Sequence, residues 1–249
     1  MHKNLKAILT SIGITLCITC TSACGTSPSA ITEPSVETNS PKYADSLLEM
    51  AQQTLDQNKD TMNDTQREII ERAIQNDGKI SDADYERAWQ SYNQCIVNKG
   101  YNPQPLTQIE GIYLDGVYMP ANKADDALQQ KFESDLWSCT TENNREVQHL
   151  YSISKGNPNL IAGDAAAVDC LHRNNLVPKN YTLKEFTQEK EQYDNIHAES
   201  EDPASLATAQ KAANSLSFDL NDNTTKLCLV ANNAQYFFDN IRPQWQPFK

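Results

Sequence analysis

The sequence predicts an all-α domain, stabilised by disulfides, with one minor β-hairpin and a flexible tether ahead of it. Three observations carry that prediction. From Tyr43 onward apolar residues recur at helical spacing, with start and stop signals between the runs. The composition is rich in Ala, Leu, Gln and Glu and has little β-branched alternation, which favours helices. Four cysteines, Cys95, Cys139, Cys170 and Cys228, sit on predicted helices downstream of an export leader, where thiols oxidise.

The leader is Met1 to Cys24. Lys3 and Lys6 precede a short apolar run that ends in Thr21-Ser22-Ala23 before Cys24. Basic, apolar and small residues in that order predict a signal peptide over 1–23, cleaved ahead of Cys24, whose sulfur then takes a lipid. The run is too short to cross a bilayer of about 30 Å as a helix. Residues 24–42, rich in Ser, Thr and Pro, cannot bury enough surface to fold and read as a tether of about 25 Å mean span. Residues 43–249 are then the extracytoplasmic domain, held at the outer face of the cell membrane by Cys24. A plain secreted product is the fallback.

Within the domain, Leu47, Leu48, Ala51 and Leu55 form one helical stripe, and Met62, Ile69, Ile70 and Ala73 a second that Asp77-Gly78 ends. Ser81 followed by Asp84 opens a third helix, with Tyr85, Ala88, Trp89, Tyr92, Cys95 and Ile96 on one face and a stop at Gly100. After a proline-rich loop, Gly111 to Met119 reads as the hairpin, turning at Asp115-Gly116. A single long helix is expected from Lys123 to about Tyr151, broken by Gly156-Asn157-Pro158. Further helices are expected at Leu160–Asn174, from the Thr182…Glu185 start, at Pro203–Leu216 and at Asn223–Phe238.

Of seven cysteines, Cys17 and Cys20 leave with the leader, and the last four allow three pairings. One internal echo bears on the choice. Cys95 and Cys170 are each followed by an aliphatic residue at +1, Gly100 or Asn175 at +5, an apolar residue at +6 and a proline at +8. That is a helix ending on a left-handed residue, with a proline forbidding continuation. One clamp per half, Cys95–Cys139 and Cys170–Cys228, is the favoured pairing.

The order Ile80-Ser-Asp-Ala-Asp-Tyr85-Glu-Arg-Ala88, then Tyr92-x-x-Cys95 and Gly100-Tyr101, resembles uncharacterised lipoproteins of high-GC Gram-positive bacteria. So do Cys139…Val147…Tyr151…Asn157-Pro158 and Cys170-Leu171. The resemblance spans about residues 62 to 187 and implies a surface lipoprotein with no assigned activity. Thr21 departs from it, standing where such signals carry Leu.

A formal charge of −12 repels phosphate backbones and anionic headgroups, which argues against a nucleic-acid partner and against a polybasic membrane patch. Asn76-Asp77-Gly78 resembles the middle of a calcium loop, but Ala73 stands where the leading carboxylate belongs, so a helix stop is the better reading. His149, His172 and His197 share no metal-ligand spacing, and no metal or cofactor is expected. The carboxylates Glu185, Glu189, Glu191, Asp194, Glu199, Glu201 and Asp202 lie among lysines and read as a solvated helix face. The aromatic tail, Tyr236, Phe237, Phe238, Trp245 and Phe248, either packs back onto the helices or forms a strip for a partner, and it is the candidate partner-binding segment.

These readings lead to a non-catalytic surface lipoprotein that binds or scaffolds an envelope partner of a transport or cell-wall system. The alternatives are an immunity-type or sequestering lipoprotein that captures a cationic peptide, steered by the acidic charge, and a hydrolase with an unrecognised carboxylate pair.

Overall fold

A computed structural model of the chain describes residues 40–118, 126–203 and 205–248, so the leader, Cys24, most of the tether and Lys123 lie outside the described residues. Three helices come first: α1 (Leu47–Asn58), α2 (Asp64–Gln75) and α3 (Asp82–Asn98). Short strands follow, β1 (Leu106–Ile109), β2 (Ile112–Asp115) and β3 (Val117–Tyr118). Then come α4 (Asp126–Asn143), α5 (Arg145–Gly156), α6 (Ala165–Arg173), α7 (Leu183–Ala198), α8 (Leu206–Ala213) and α9 (Asn223–Val230). A 3₁₀ turn over Gln235–Ile241 leads to β4 (Gln244–Trp245). The protein is mostly helical, as its composition predicts.

Helix starts follow side-chain chemistry. Ser46, Asn63, Ser81, Thr182, Ser205 and Asp222 each accept a hydrogen bond from the backbone N–H three residues on, satisfying a donor the helix itself cannot. Thr182 and Glu185 complete a reciprocal capping box. At Ser81 the reciprocal backbone bond is missing, and the Asp84 carboxylate accepts from Arg72 and from the Ser81 hydroxyl.

Helix stops are just as regular. Gly100 and Asn175 have φ of 97° and 56°, and the next amide reaches back to the carbonyl of Ile96 or Leu171. The device occurs a third time after Cys228: Asn233 has φ of 63° and Ala234 N–H donates to the Leu229 carbonyl. The shared pattern is Cys-x-x-x-Asn-Asn at Cys139, Cys170 and Cys228. In each copy the first Asn side chain donates to the Cys carbonyl at 2.8 Å. Every bridged cysteine therefore lies five residues before the one that ends its helix. The disulfides join Cys95 to Cys139 and Cys170 to Cys228, the favoured pairing, tying α3 to α4 and α6 to α9.

The core runs through Ile69 and Ile70 of α2, Tyr85, Ala88 and Ile96 of α3, Val147 and Leu150 of α5, Leu171 of α6 and Leu229 of α9. Gly78 lets α1 approach the α2–α3 turn. With φ of 82°, a Cβ there would lie 2.3 Å from both the carbonyl carbon and the oxygen of Leu47. Gly78→Ala should therefore cost about 3 kcal/mol, from left-handed strain and overpacking together. Gly100→Ala, with φ of 97° and open space, should cost about 1 kcal/mol. Urea titration of the two variants checks the contrast, and equal losses would refute it.

Several expectations are corrected. The hairpin turns at Glu110-Gly111, not at Asp115-Gly116: φ is 47° and 84° at the two central residues, and Ile109 pairs with Ile112. Asp115-Gly116 serves a different purpose. A Cβ on Gly116 would meet Pro105 at 2.9 Å and the Pro243 carbonyl oxygen at 3.0 Å, so glycine lets the segment leading into β4 come in.

The long helix expected up to Tyr151 is two helices, parted at Asn144. Fully buried Gln66 of α2 causes the break by serving both ends. Its amide donates to the Thr141 carbonyl at 2.9 Å, and its Oε1 accepts from Glu146 N–H at 2.9 Å. The expected helix at Leu160–Asn174 begins only at Ala165, and Pro203–Leu216 narrows to Leu206–Ala213. The last helix stops at Val230, where the Asn233 turn intervenes. The foot of the tether is tied down, with Lys42 bridging to Ile161.

The tail is not an exposed strip. Phe237, Phe238 and Trp245 are buried, and Tyr236 and Phe248 are half-buried. Trp245 lies 5.4 Å from Phe132, and its indole N–H donates to the Asn102 carbonyl at 3.1 Å. β4 pairs in parallel with β3, Val117 against Gln244 and Tyr118 against Trp245. Phe237 inserts between Phe186, Phe218 and Tyr193. The rings carry large apolar surfaces and few charges flank them, so docking outweighs exposure.

Candidate functional site

A cleft of about 440 Å³ opens where four segments meet: α3, β2, the α4–α5 junction and the turn after α9. Each segment delivers its residues for a local reason. Alternation along β2 buries Ile112 and Leu114 and leaves Tyr113 and Asp115 on the other face. Trp89 comes from the apolar stripe of α3. The left-handed Asn233 turns the chain after α9 so that Gln235 reaches the rim. On α5, Asn144, Gln148 and Ser152 recur every fourth residue and share one helix face.

The polar groups of the wall are oriented rather than loose. Gln148 Oε1 accepts from Trp89 Nε1 at 3.0 Å and from the Tyr85 hydroxyl, while its amide donates to Ser152 Oγ at 3.2 Å. That leaves one Gln148 N–H for another acceptor. The Tyr85 hydroxyl, pushed up in pKa by burial, also accepts from Tyr113 N–H at 2.9 Å. Tyr85 stacks on Tyr151 with ring centroids 3.7 Å apart. This aromatic block makes the wall stiff.

Charges in the cleft are consumed internally. Arg145 Nε pairs with Glu146 at 2.6 Å, and the same guanidinium lies over the Trp137 ring. Asp115 is held by Arg242 at 2.8 Å. The His149 pKa is lowered by desolvation, which keeps the ring neutral at pH 7, and it packs edge-on to Tyr43.

Asn144 is the exception. As the residue before α5 it would ordinarily cap the helix, but Gln66 has taken that role. The other two Cys-x-x-x-Asn-Asn copies put their second Asn in the left-handed turn. Here φ is −143° and the chain runs straight on into α5. Asn144 is 3 % exposed, and its Oδ1 finds no hydrogen-bond partner among the described residues. A buried acceptor without a donor costs about 1–3 kcal/mol unless something occupies it.

The other sequence candidates fall elsewhere. Cys24 lies outside the described residues. His172 Nε2 lies 2.7 Å from the Tyr181 carbonyl, and His197 Nδ1 lies 3.2 Å from the Pro203 carbonyl. Glu185 belongs to the capping box and Glu189 accepts from Tyr181 and Ser217, while Glu191, Asp194, Glu199, Glu201 and Asp202 are exposed. Among the described residues no group of three or more His, Cys, Asp or Glu could hold a metal ion. Among the described residues, no helix is long and apolar enough to cross a membrane. Helical spacing found Trp89 but missed Asn144, Gln148 and Gln235. The repeated Cys-x-x-x-Asn-Asn pattern was the signal that could have marked Asn144.

Comparison with known proteins adds no relative: no protein-family model, no curated protein and no solved structure matches this chain.

Proposed function

We propose that this chain is a non-catalytic cell-surface lipoprotein, anchored through Cys24, whose helical domain binds an envelope partner or ligand in the cleft at the α4–α5 junction. The leader sequence and the resemblance to Gram-positive lipoproteins support the anchor, and two disulfides suit an oxidising, extracytoplasmic setting. The observation that carries the binding role is the cleft's oriented wall, where Trp89 and Tyr85 hold Gln148 with one amide N–H unused and the Gln235 amide stands at the rim. A photo-crosslinking residue in place of Gln235, at the rim, should capture a specific species on intact cells. The same residue in place of Leu206, which is 83 % exposed on α8, should not. Equal capture at both positions would refute the cleft. Mass spectrometry of the mature N-terminus should find a lipid on Cys24.

The charge of −12 favours a second reading, sequestration of a cationic peptide on the acidic surface. Capture that collapses as salt rises would select it.

A further inference from the structure

We propose that the cleft recognises an uncharged saccharide, an inference that rests on the binding role given above. Three features of the lining agree on this class. Both acidic side chains already hold arginine partners, Glu146 with Arg145 and Asp115 with Arg242, so an ionic ligand would have to displace an existing pair. The groups left over are neutral: the spare N–H of Gln148 and the amide of Gln235. A hydroxyl is at once donor and acceptor, so a hydroxyl-rich ring meets the Gln148 donor and the Gln235 amide without bringing charge. The third feature is the pair Trp89 and Tyr113. The negative faces of such rings attract the electropositive C–H face of a pyranose, which covers apolar surface while its hydroxyls meet the amides. A cleft of about 440 Å³ falls in the ordinary range for small-molecule sites.

The test uses the purified protein and nitrogen-15 NMR, following the Trp89 indole and the Gln148 side-chain amide. Maltotriose, cellotriose and triacetylchitotriose are titrated to roughly 20 mM, a range that reaches weak millimolar binding, with trilysine and triglutamate as charged probes. Saturable movement of both signals with at least one trisaccharide, unchanged by added salt, is the expected result. Gln235→Ala should weaken that affinity about fivefold to tenfold, the worth of one hydrogen bond. Tyr113→Ala should weaken it as well, and both positions are only half-buried, so each variant tests the site independently. Movement with trilysine or triglutamate alone would overturn the saccharide class and leave the binding role standing. Signals unmoved by all three sugars would overturn the saccharide class too, while crosslinking at Gln235 would still decide the binding role separately.

Discussion

Replacing Cys170 and Cys228 together with alanine should lower stability by about 4 kcal/mol. The bridge closes a loop with a sequence separation of 58, and the chain-entropy estimate for a loop of that size gives about that figure. Alanine is the right substitute, because both sites are buried and serine would add unpaired hydroxyls. In a domain of this size the expected fall in melting temperature is roughly 8–16 °C. The bridge between Cys95 and Cys139, with a separation of 44, should contribute about as much. Reducing both in the wild type would then remove about 8 kcal/mol, comparable to the whole stability of many domains. Calorimetry with and without reductant measures this. A reduced protein melting within about 2 °C of the oxidised one would show that helix packing alone holds the fold.

Trp245→Ala should cost about 3–5 kcal/mol, the usual range for removing a large ring from a closed core. The side chain is 2 % exposed, touches Phe132 and donates to the Asn102 carbonyl. Its loss leaves both a cavity and an unpaired acceptor. It should also free β4 from β3, so the Val117 amide, which donates to the Pro243 carbonyl at 2.9 Å, should exchange its hydrogen much faster. A loss below about 1 kcal/mol with Val117 still protected would mean the tail only leans on the surface.

Features written in local chemistry were legible in the sequence. Caps at Ser81 and Thr182, left-handed stops at Gly100 and Asn175 and the cysteines near them all act over three to six residues, and a reader of the chain can see them. What depended on distant partners was not legible. The helix break at Asn144 is imposed by Gln66 from another helix, and the one local hint is the Cys-x-x-x-Asn-Asn pattern, whose meaning shows only once the other two copies are seen to end helices. Asp115-Gly116 has the better turn composition, yet the turn falls at Glu110-Gly111, because that register puts Ile109, Ile112 and Leu114 on the buried side. The cleft is the extreme case. Its wall takes residues from four segments, and helical spacing detected one of them.

Arg242 reaches back across 127 residues to Asp115, and the strand that follows it fills the slot beside Tyr118. The ring cluster around Phe132 is therefore closed by Trp245 and Phe248, partners far away in sequence, so it should be among the slower parts of the fold to form.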